Sequence, residues 1–188
     1  MKKFLSKKTM LLPPFEPFSM LFTENGTFEV PRRCKKLTVT AVGGGGGQGS
    51  GVYINNIIFG GGGGGAGGKG VSVFTGNNLS ALTGKTVDVV VGAAGYGQGY
   101  SNPGAAGGET SFAKGTEQQV IGYGGRGGDA NQGGGAGGGY VAQTGTNGAN
   151  GGRGGVTSTG SNAPGHVIEG VGTFGGGAQN GAVYIIAE

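Results

Sequence analysis

The stretch Lys36-Leu-Thr-Val-Thr-Ala-Val-Gly-Gly-Gly-Gly-Gly47 joins the two kinds of sequence that decide the fold. Its first seven residues alternate with a period of two, so that Leu37, Val39 and Ala41 share one face. Such alternation predicts a β-strand with one side in a hydrophobic core. Five glycines follow at once, so the chain leaves the strand as a segment without side chains.

Glycine dominates the composition of the whole chain. Fifty-two of the 188 residues are glycine and 12% are charged, whereas an average domain has about 7% glycine and about 25% charged residues. A disordered chain with few apolar residues usually carries many charges, and this one does not. Its apolar residues cluster in short islands between glycine tracts. We therefore expect an all-β fold with no substantial helix.

Several other islands are typical of strands. They are residues 71–74, 85–91, 110–112, 119–123 and 181–187. Two further islands contain turn residues. Residues 21–30 are predicted to form a hairpin around Asn25-Gly26, because both central positions of a type I′ turn need positive φ. Residues 52–59 are predicted to form a smaller hairpin that turns at Asn55-Asn56.

The glycine tracts are open to three interpretations. A collagen helix requires glycine at every third position, and the unbroken run from Gly60 to Gly65 does not follow that period. Flexible linkers are possible, although these tracts alternate with strands inside one apparent domain. The interpretation we favour is a bundle of left-handed helices with three residues per turn, in which backbone amides bond to neighbouring chains.

The N-terminal segment differs from the rest of the chain. Residues 1–36 hold eight basic and three acidic residues, whereas the remainder holds five basic and six acidic ones. Prolines interrupt the short apolar stretch after Lys8, so no signal peptide is expected. We predict an extended anchoring arm over residues 1–20 and one glycine-rich domain over residues 21–188. The basic charge either docks onto an acidic surface or solvates an exposed end.

The arm is rich in basic and apolar side chains for which a β-domain offers no evident use. We expect it to anchor the protein to a partner. The candidate anchoring residues are Lys2, Lys3, Phe4, Leu11, Leu12, Phe15 and Phe18.

The sequence holds few side chains that perform chemistry. It has one cysteine, Cys34, and one histidine, His166, which predicts neither a zinc site nor a Cys–His nucleophile. The basic residues next to Cys34 are expected to lower the pKa of its thiol somewhat. Pro164 and Gly165 indicate a surface loop around His166. We expect no catalytic residue, no metal and no cofactor, and therefore no enzyme.

Two segments raise the alternative of nucleic-acid binding. Residues 124–128 and 151–155 both read Gly-Gly-Arg-Gly-Gly, with Tyr123 and Tyr140 nearby for base stacking. Binding of this kind needs many arginines, because phosphate contacts dominate the affinity, and the chain offers only two in these tracts. We expect no nucleic-acid partner. A cellular glycine-rich surface or structural protein is a further alternative.

Five elements in order resemble the glycine-rich domain found in phage tail-fibre and other virion proteins. The first two are the aromatic segment 22–31 and the strand that runs into polyglycine at 36–47. The others are Gly84–Gly95, Gly107–Phe112 and the closing segment Gly175–Ile186. The resemblance covers roughly residues 21–188. It implies a jelly-roll-like β-sandwich with packed polyglycine II segments, and a role in virion structure or host attachment.

The same resemblance implies partners and a location. It implies a virion component on the tail, a fibre tip or the head surface, made in the host cytoplasm. In such a particle, we expect the arm to bind other virion proteins through its basic and apolar side chains. A host glycan or outer-membrane protein is the expected receptor, and the resemblance implies a homo-oligomer such as a trimer.

A receptor surface must be built from the islands between the glycine tracts, because glycine has no side chain to offer. Tyrosine suits both glycans and proteins, since it combines an apolar face with a hydroxyl group. The candidate receptor contacts are Tyr53, Ile57, Phe59, Tyr96, Tyr100, Tyr140 and His166. The alternative is that Ile54, Ile57 and Phe59 fill the hydrophobic core.

Overall fold

The computed structural model describes residues 14–130, 145–146, 148–151 and 160–188, and the regular structure in these ranges is almost entirely β. The all-β expectation is therefore confirmed. In chain order the strands are β1 (Phe18–Phe22), β2 (Gly26–Glu29), β3 (Lys36–Val42), β4 (Val52–Ile54), β5 (Ile57–Phe59), β6 (Lys69–Thr75), β7 (Thr86–Val90), β8 (Thr110–Phe112), β9 (Val120–Gly122), β10 (Gly145–Thr146), β11 (His166–Ile168), β12 (Gly172–Phe174) and β13 (Ala182–Ala187).

Nine of these strands form two antiparallel sheets. The first sheet has five strands in the order β1-β13-β3-β6-β10, and the second has four in the order β2-β7-β8-β9. The strands β4 and β5 form a separate hairpin, as do β11 and β12. The islands predicted as strands at residues 71–74, 85–91, 110–112, 119–123 and 181–187 are confirmed as β6, β7, β8, β9 and β13.

The two sheets face each other across one hydrophobic core. Leu37, Val39 and Ala41 of β3 are fully buried, which confirms the alternation expected for this strand. The ring of Phe112 on the second sheet is also fully buried. Its centroid lies 6.4 Å from the rings of Phe28 and Phe74, which belong to opposite sheets. Phe112 therefore joins the two sheets at the centre of the core.

Residues 21–30 do not form the hairpin predicted from the sequence. β1 pairs with β13 in the first sheet, whereas β2 pairs with β7 in the second. The connection between them therefore crosses from one sheet to the other. The side chain of Asn25 accepts a hydrogen bond from the amide of Val91 at 2.8 Å, so this turn residue stabilises the end of another strand. Placing β1 and β2 in different sheets lets Phe22 and Phe28 pack on one core from two sides.

One short helix was not expected from the sequence. The helix α1 (Gly76–Ser80) follows β6 and has five residues. It buries Leu79, while Leu82 in the following turn is also buried. These two leucines close the end of the core between β6 and β7. Their burial explains why the chain makes a helical turn here instead of continuing as a strand.

The glycine segments bond to one another through their backbones. We call the segments 43–50, 60–68, 92–96, 102–108, 122–130 and 175–179 the glycine bundle. In segment 43–50, backbone amides that are three residues apart donate to the same neighbouring segment. The carbonyls that accept these bonds are also three residues apart, and they follow in reverse order because the two segments run in opposite directions. The bonds are Gly43 to Gly68 (3.0 Å), Gly46 to Gly65 (2.8 Å), Gly49 to Gly62 (2.9 Å), Gly44 to Gly108 (2.9 Å), Gly47 to Ala105 (2.8 Å) and Ser50 to Asn102 (3.0 Å).

The spacing of the segments requires glycine. A Cβ added to Gly44 would meet the carbonyl of Ala93, and one added to Gly47 would meet that of Tyr96. Positions three residues apart therefore face the same neighbouring segment, too closely for a side chain. This steric pattern has the same period as the hydrogen bonds. Segment 43–50 is surrounded by the other segments of the bundle, so its backbone amides bond to other chain segments within the fold.

Candidate functional site

The long glycine tracts leave one end of the two-sheet body and return to it. Segment 43–50 follows β3 and segment 60–68 leads back into β6, with the β4–β5 hairpin at the turning point. In the same way, residues 91–97 follow β7 and residues 104–109 lead back into β8. We call the far end, residues 51–59 and 97–103, the tip. The opposite end of the sheets, residues 14–17, 31–35 and 188, is called the base.

The β4–β5 hairpin forms the first part of the tip. Asn55 and Asn56 have φ values of 49° and 64°, as a type I′ turn requires, so the hairpin predicted here is confirmed. Tyr53 is 52% exposed and Ile57 is 44% exposed. Phe59 is half-buried. Ile54, Ile57 and Phe59 lie outside the hydrophobic core, so the alternative that these three residues fill the core was wrong.

The turn 97–103 forms the second part of the tip and is bonded to the first. The amide of Ser50, just before β4, donates to the carbonyl of Asn102 at 3.0 Å, and the Ser50 hydroxyl contacts the carbonyl of Gln98. Tyr100 lies within this turn and is 67% exposed, and Tyr96 directly precedes it and is 69% exposed. Three of the predicted contact residues, Tyr53, Tyr96 and Tyr100, thus lie at the same end of the molecule, and we call them the tip tyrosines.

His166 does not lie at the tip or in a loop. It is the first residue of β11, it is half-buried, and its Nε2 lies 2.9 Å from the carbonyl of Gly67, two residues before β6. Burial lowers the pKa of the imidazole, and the positive charge of Lys69 adds to this effect. The loop prediction was wrong because strands of three residues, such as β11 and β12, are too short to show an alternating pattern. Tyr140 lies outside the described residues.

The base carries the described part of the predicted anchor. Phe18 is in β1 and pairs with Ala187, while Phe15 packs against the core. The ring centroids of Phe15 and Phe28 lie 6.1 and 6.3 Å from that of Phe18. These two anchor candidates are therefore built into the body. The others, Lys2, Lys3, Phe4, Leu11 and Leu12, lie outside the described residues.

Side chains that could bind a metal or act as a nucleophile are scattered. No group of three or more His, Cys, Asp or Glu residues comes together in the described ranges. The Cys34 thiol is buried and donates to the carbonyl of Pro31 at 3.4 Å. Burial raises the pKa of this thiol, against the lowering expected from its basic neighbours. In the described ranges, no helix is long and apolar enough to span a membrane.

The first Gly-Gly-Arg-Gly-Gly segment is part of the glycine bundle. Gly125 and Gly128 donate to the carbonyls of Gly44 and Gly47 at 2.8 and 2.9 Å, and the side chain of Arg126 is exposed. The backbone of this segment is therefore committed to packing, unlike the arginine-rich segments that fold onto RNA. Arg126 lies on the solvent side of a structural tract.

Comparison with known families identifies one match. A family model described as a glycine-rich domain matches residues 23–185. The matched region starts in the connection between β1 and β2 and ends within β13, so it includes the four-stranded sheet, the bundle, the tip and most of the five-stranded sheet, but not β1. No curated protein matches the chain.

Proposed function

Because the chain belongs to the glycine-rich domain family, we propose that it is a structural component of a phage particle that serves in host attachment. It would have no catalytic activity and would be carried on the tail, a fibre tip or the head surface, after synthesis in the host cytoplasm. The family supplies the type of domain. The case for attachment rests on how the molecule is laid out.

One observation carries the proposal: the exposed tyrosines lie at one end of the molecule, whereas Pro14 and the C-terminal Glu188 lie at the opposite end. β3 runs from Lys36 at the base to Val42, and the glycine tract continues in the same sense to the tip. The last residue, Glu188, is bonded at the base, where its carbonyl accepts the amide of Lys35 at 2.6 Å. A module of this form can be held at one end while it presents the other.

The tip supports a receptor-binding role. Tyr53, Tyr96 and Tyr100 are all more than half exposed, although soluble proteins usually bury much of an aromatic ring. Tyrosine is enriched where proteins bind other molecules, because its ring packs and its hydroxyl bonds. The partner we propose is a host glycan or an outer-membrane protein. Either would bind a surface whose position is set by the bundle below it.

The base supports an anchoring role. Residue 14 lies there, so residues 1–13 start from the end that faces away from the tip. A groove at the base is lined by Phe15, Arg33 and Glu188, among others. We propose that residues 1–13 bind another virion protein with their basic and apolar side chains. The neighbouring copies would then all point their tips in one direction, as a homo-oligomer such as a trimer.

We interpret the glycine bundle as polyglycine II and the two sheets as a jelly-roll-like sandwich. The period of three in the hydrogen bonds of segment 43–50 supports the first part, since such helices have three residues per turn. Packed in this way, the tracts would act as a stiff stalk between the base and the tip. Stiffness matters because a flexible tract would lose entropy each time the tip bound a receptor.

The proposal is tested on purified particles. We expect mass spectrometry to find the protein in particles, and an antibody against residues 51–59 to label the particle surface and reduce adsorption to host cells. Antibody against the C-terminal residues at the base should label intact particles poorly. Finding the protein only in the cell cytoplasm, bound to RNA, would overturn the proposal.

A further inference from the structure

The outer face of the five-stranded sheet, which is turned away from the core, is unusually apolar. Strand register places Thr38 beside Val73 and Ile186, and Thr40 beside Val71 and Tyr184. Leu21 of β1 lies next to Tyr184. In the described part of this sheet, the charged side chains of this face lie at its two ends, Lys36 with Glu188 at one end and Lys69 at the other. We call its central part the outer apolar face, defined as Leu21, Thr40, Val71, Val73, Tyr184 and Ile186.

Several of these side chains are open to solvent. Val73 is 54% exposed, Leu21 is 39% exposed and Val71 is 36% exposed. Antiparallel sheets with one solvated face usually alternate apolar residues inside with polar residues outside. A contiguous exposed apolar surface on a soluble domain commonly marks an interaction site.

The second sheet of the same molecule provides a direct comparison. The exposed positions of its strands β2 and β7 include Glu29 and Asp88, together with Thr27 and Thr86. The outer face of this half of the second sheet is therefore an ordinary solvated one, whereas β8 and β9 are buried on both faces. The two sheets share one core and one chain, so composition alone does not explain the difference between their outer faces.

The β11–β12 hairpin forms a rim beside the outer apolar face. A groove between them is lined by Val71, Tyr184 and Val167, with Lys69 and Glu169 at its border. Val167 is 65% exposed. The face thus has a raised edge with another apolar side chain, which increases the surface that a partner could cover.

We propose that the outer apolar face binds a second copy of this chain. Its centre is uncharged, so two copies can meet there without repulsion between like charges. The lysine at one end is already neutralised, because Lys36 forms an ion pair with Glu188 at 2.5 Å. At the other end Lys69 borders the same groove as Glu169. A face of this kind is complementary to itself.

The arrangement of the copies rests on the proposed function, in which all tips point the same way. Sheets that pack face to face keep their strands within about 30° of each other. Two outer faces related by an axis parallel to the strands satisfy this geometry. They also leave every tip at one end and every base at the other.

The test compares two valines on opposite sides of the molecule. Val73 lies on the outer apolar face, and Val90 lies on the outer face of the second sheet with 41% of its surface exposed. We would measure the mass of the purified full-length chain by sedimentation velocity over a range of concentrations. The wild type is expected to sediment with twice the monomer mass of 18.2 kDa, because a self-complementary face joins two copies. Val73→Glu and Val73→Lys are both expected to sediment as monomers, and Val90→Glu as the wild type.

Folding is checked by circular dichroism. Because both valines are exposed, every variant should have the melting temperature of the diluted, monomeric wild type. A monomeric wild type at every concentration would overturn the inference, as would a Val73→Glu protein that keeps the wild-type mass. Dissociation of Val90→Glu to the same extent would also overturn it. The proposed function fails on a different result, namely absence of the protein from particles, so the two failures can be told apart.

Discussion

The Cα of Gly45 faces the carbonyl oxygen of Gly176 so closely that no Cβ fits between them. Gly45 is in the segment that the rest of the glycine bundle surrounds, and its amide donates to the carbonyl of Gln179 at 2.8 Å. The obstacle is backbone on both sides, which cannot rotate away as a side chain can. The bundle therefore depends on glycine at this position for steric reasons.

Substitution of Gly45 by alanine is expected to destabilise the fold strongly. The methyl group would push two bonded segments apart, and overpacking of this kind costs about 3 kcal/mol or more when the neighbours cannot move. Urea denaturation followed by circular dichroism would measure the free energy of unfolding. The matched control is Gly99→Ala, because a Cβ at Gly99 meets nothing within 4 Å. Equal stability of the two variants would contradict the packing described for the bundle.

Phe112 is expected to be the most sensitive position of the core. Its ring is fully buried between Phe28 and Phe74, and truncation of a buried phenylalanine to alanine costs about 3–5 kcal/mol. We expect Phe112→Ala to lower the free energy of unfolding by this amount in the same denaturation experiment. Val167→Ala, at a position that is 65% exposed, should change it by less than about 0.5 kcal/mol. A loss below about 1 kcal/mol for Phe112→Ala would contradict its central place in the core.

The sequence predicted the strands best where side chains alternate over many residues. β3 and β7 have buried and exposed residues in strict alternation over most of their lengths, and both were expected. The turn at Asn55-Asn56 was also predictable, because few residues adopt positive φ. The connection around Asn25 was misjudged, since the turn signal is local whereas the choice of sheet depends on distant partners, β13 and β7.

The arrangement of the glycine tracts could not be predicted from their sequence. A tract without side chains has the same bonding pattern after a shift of three residues, so it carries no information on its neighbours or its register. The strands fix both instead. Segment 43–50 takes its register from β3, and segment 60–68 takes it from β6, which pairs with β3. The tip follows from this, because both glycine tracts lead to the same end of the molecule, where Ser50 bonds to the turn that contains Tyr100.

Stability is expected to depend on pH through His166. Burial lowers the pKa of this imidazole in the folded state, below the ordinary value of about 6.5. Between these two values the unfolded chain binds more protons, so stability is full above about pH 6.5 and falls as the pH decreases. We expect the melting temperature to drop from pH 7.5 to pH 5.5. His166→Gln should flatten this dependence, since its amide can still donate to Gly67. An unchanged slope in the variant would show that another group is responsible.

Deletion of residues 2–13 is expected to separate anchoring from folding. The shortened chain keeps Phe15 and all of β1, which pack on the core and pair with β13, so its melting temperature should match that of the full chain. Its incorporation into particles, measured by mass spectrometry, should be lost. Deletion through residue 18 is the informative comparison, because it removes part of β1 and should also lower stability. Normal incorporation of the chain without residues 2–13 would place the anchor elsewhere.

The tip tyrosines are expected to bind the host receptor without contributing to stability. Tyr53, Tyr96 and Tyr100 are 52%, 69% and 67% exposed, so their joint replacement by alanine should hardly change the melting temperature. Aromatic residues that dominate an interface each contribute about 2 kcal/mol or more. We therefore expect the triple variant to reduce adsorption of particles to host cells by about tenfold or more, while its incorporation into particles stays normal. The control replaces Val90 by alanine, which removes exposed apolar surface away from both the tip and the outer apolar face. If adsorption is the same for both variants and the wild type, the tyrosines serve packing between subunits and the protein is a structural fitting instead of an adhesin.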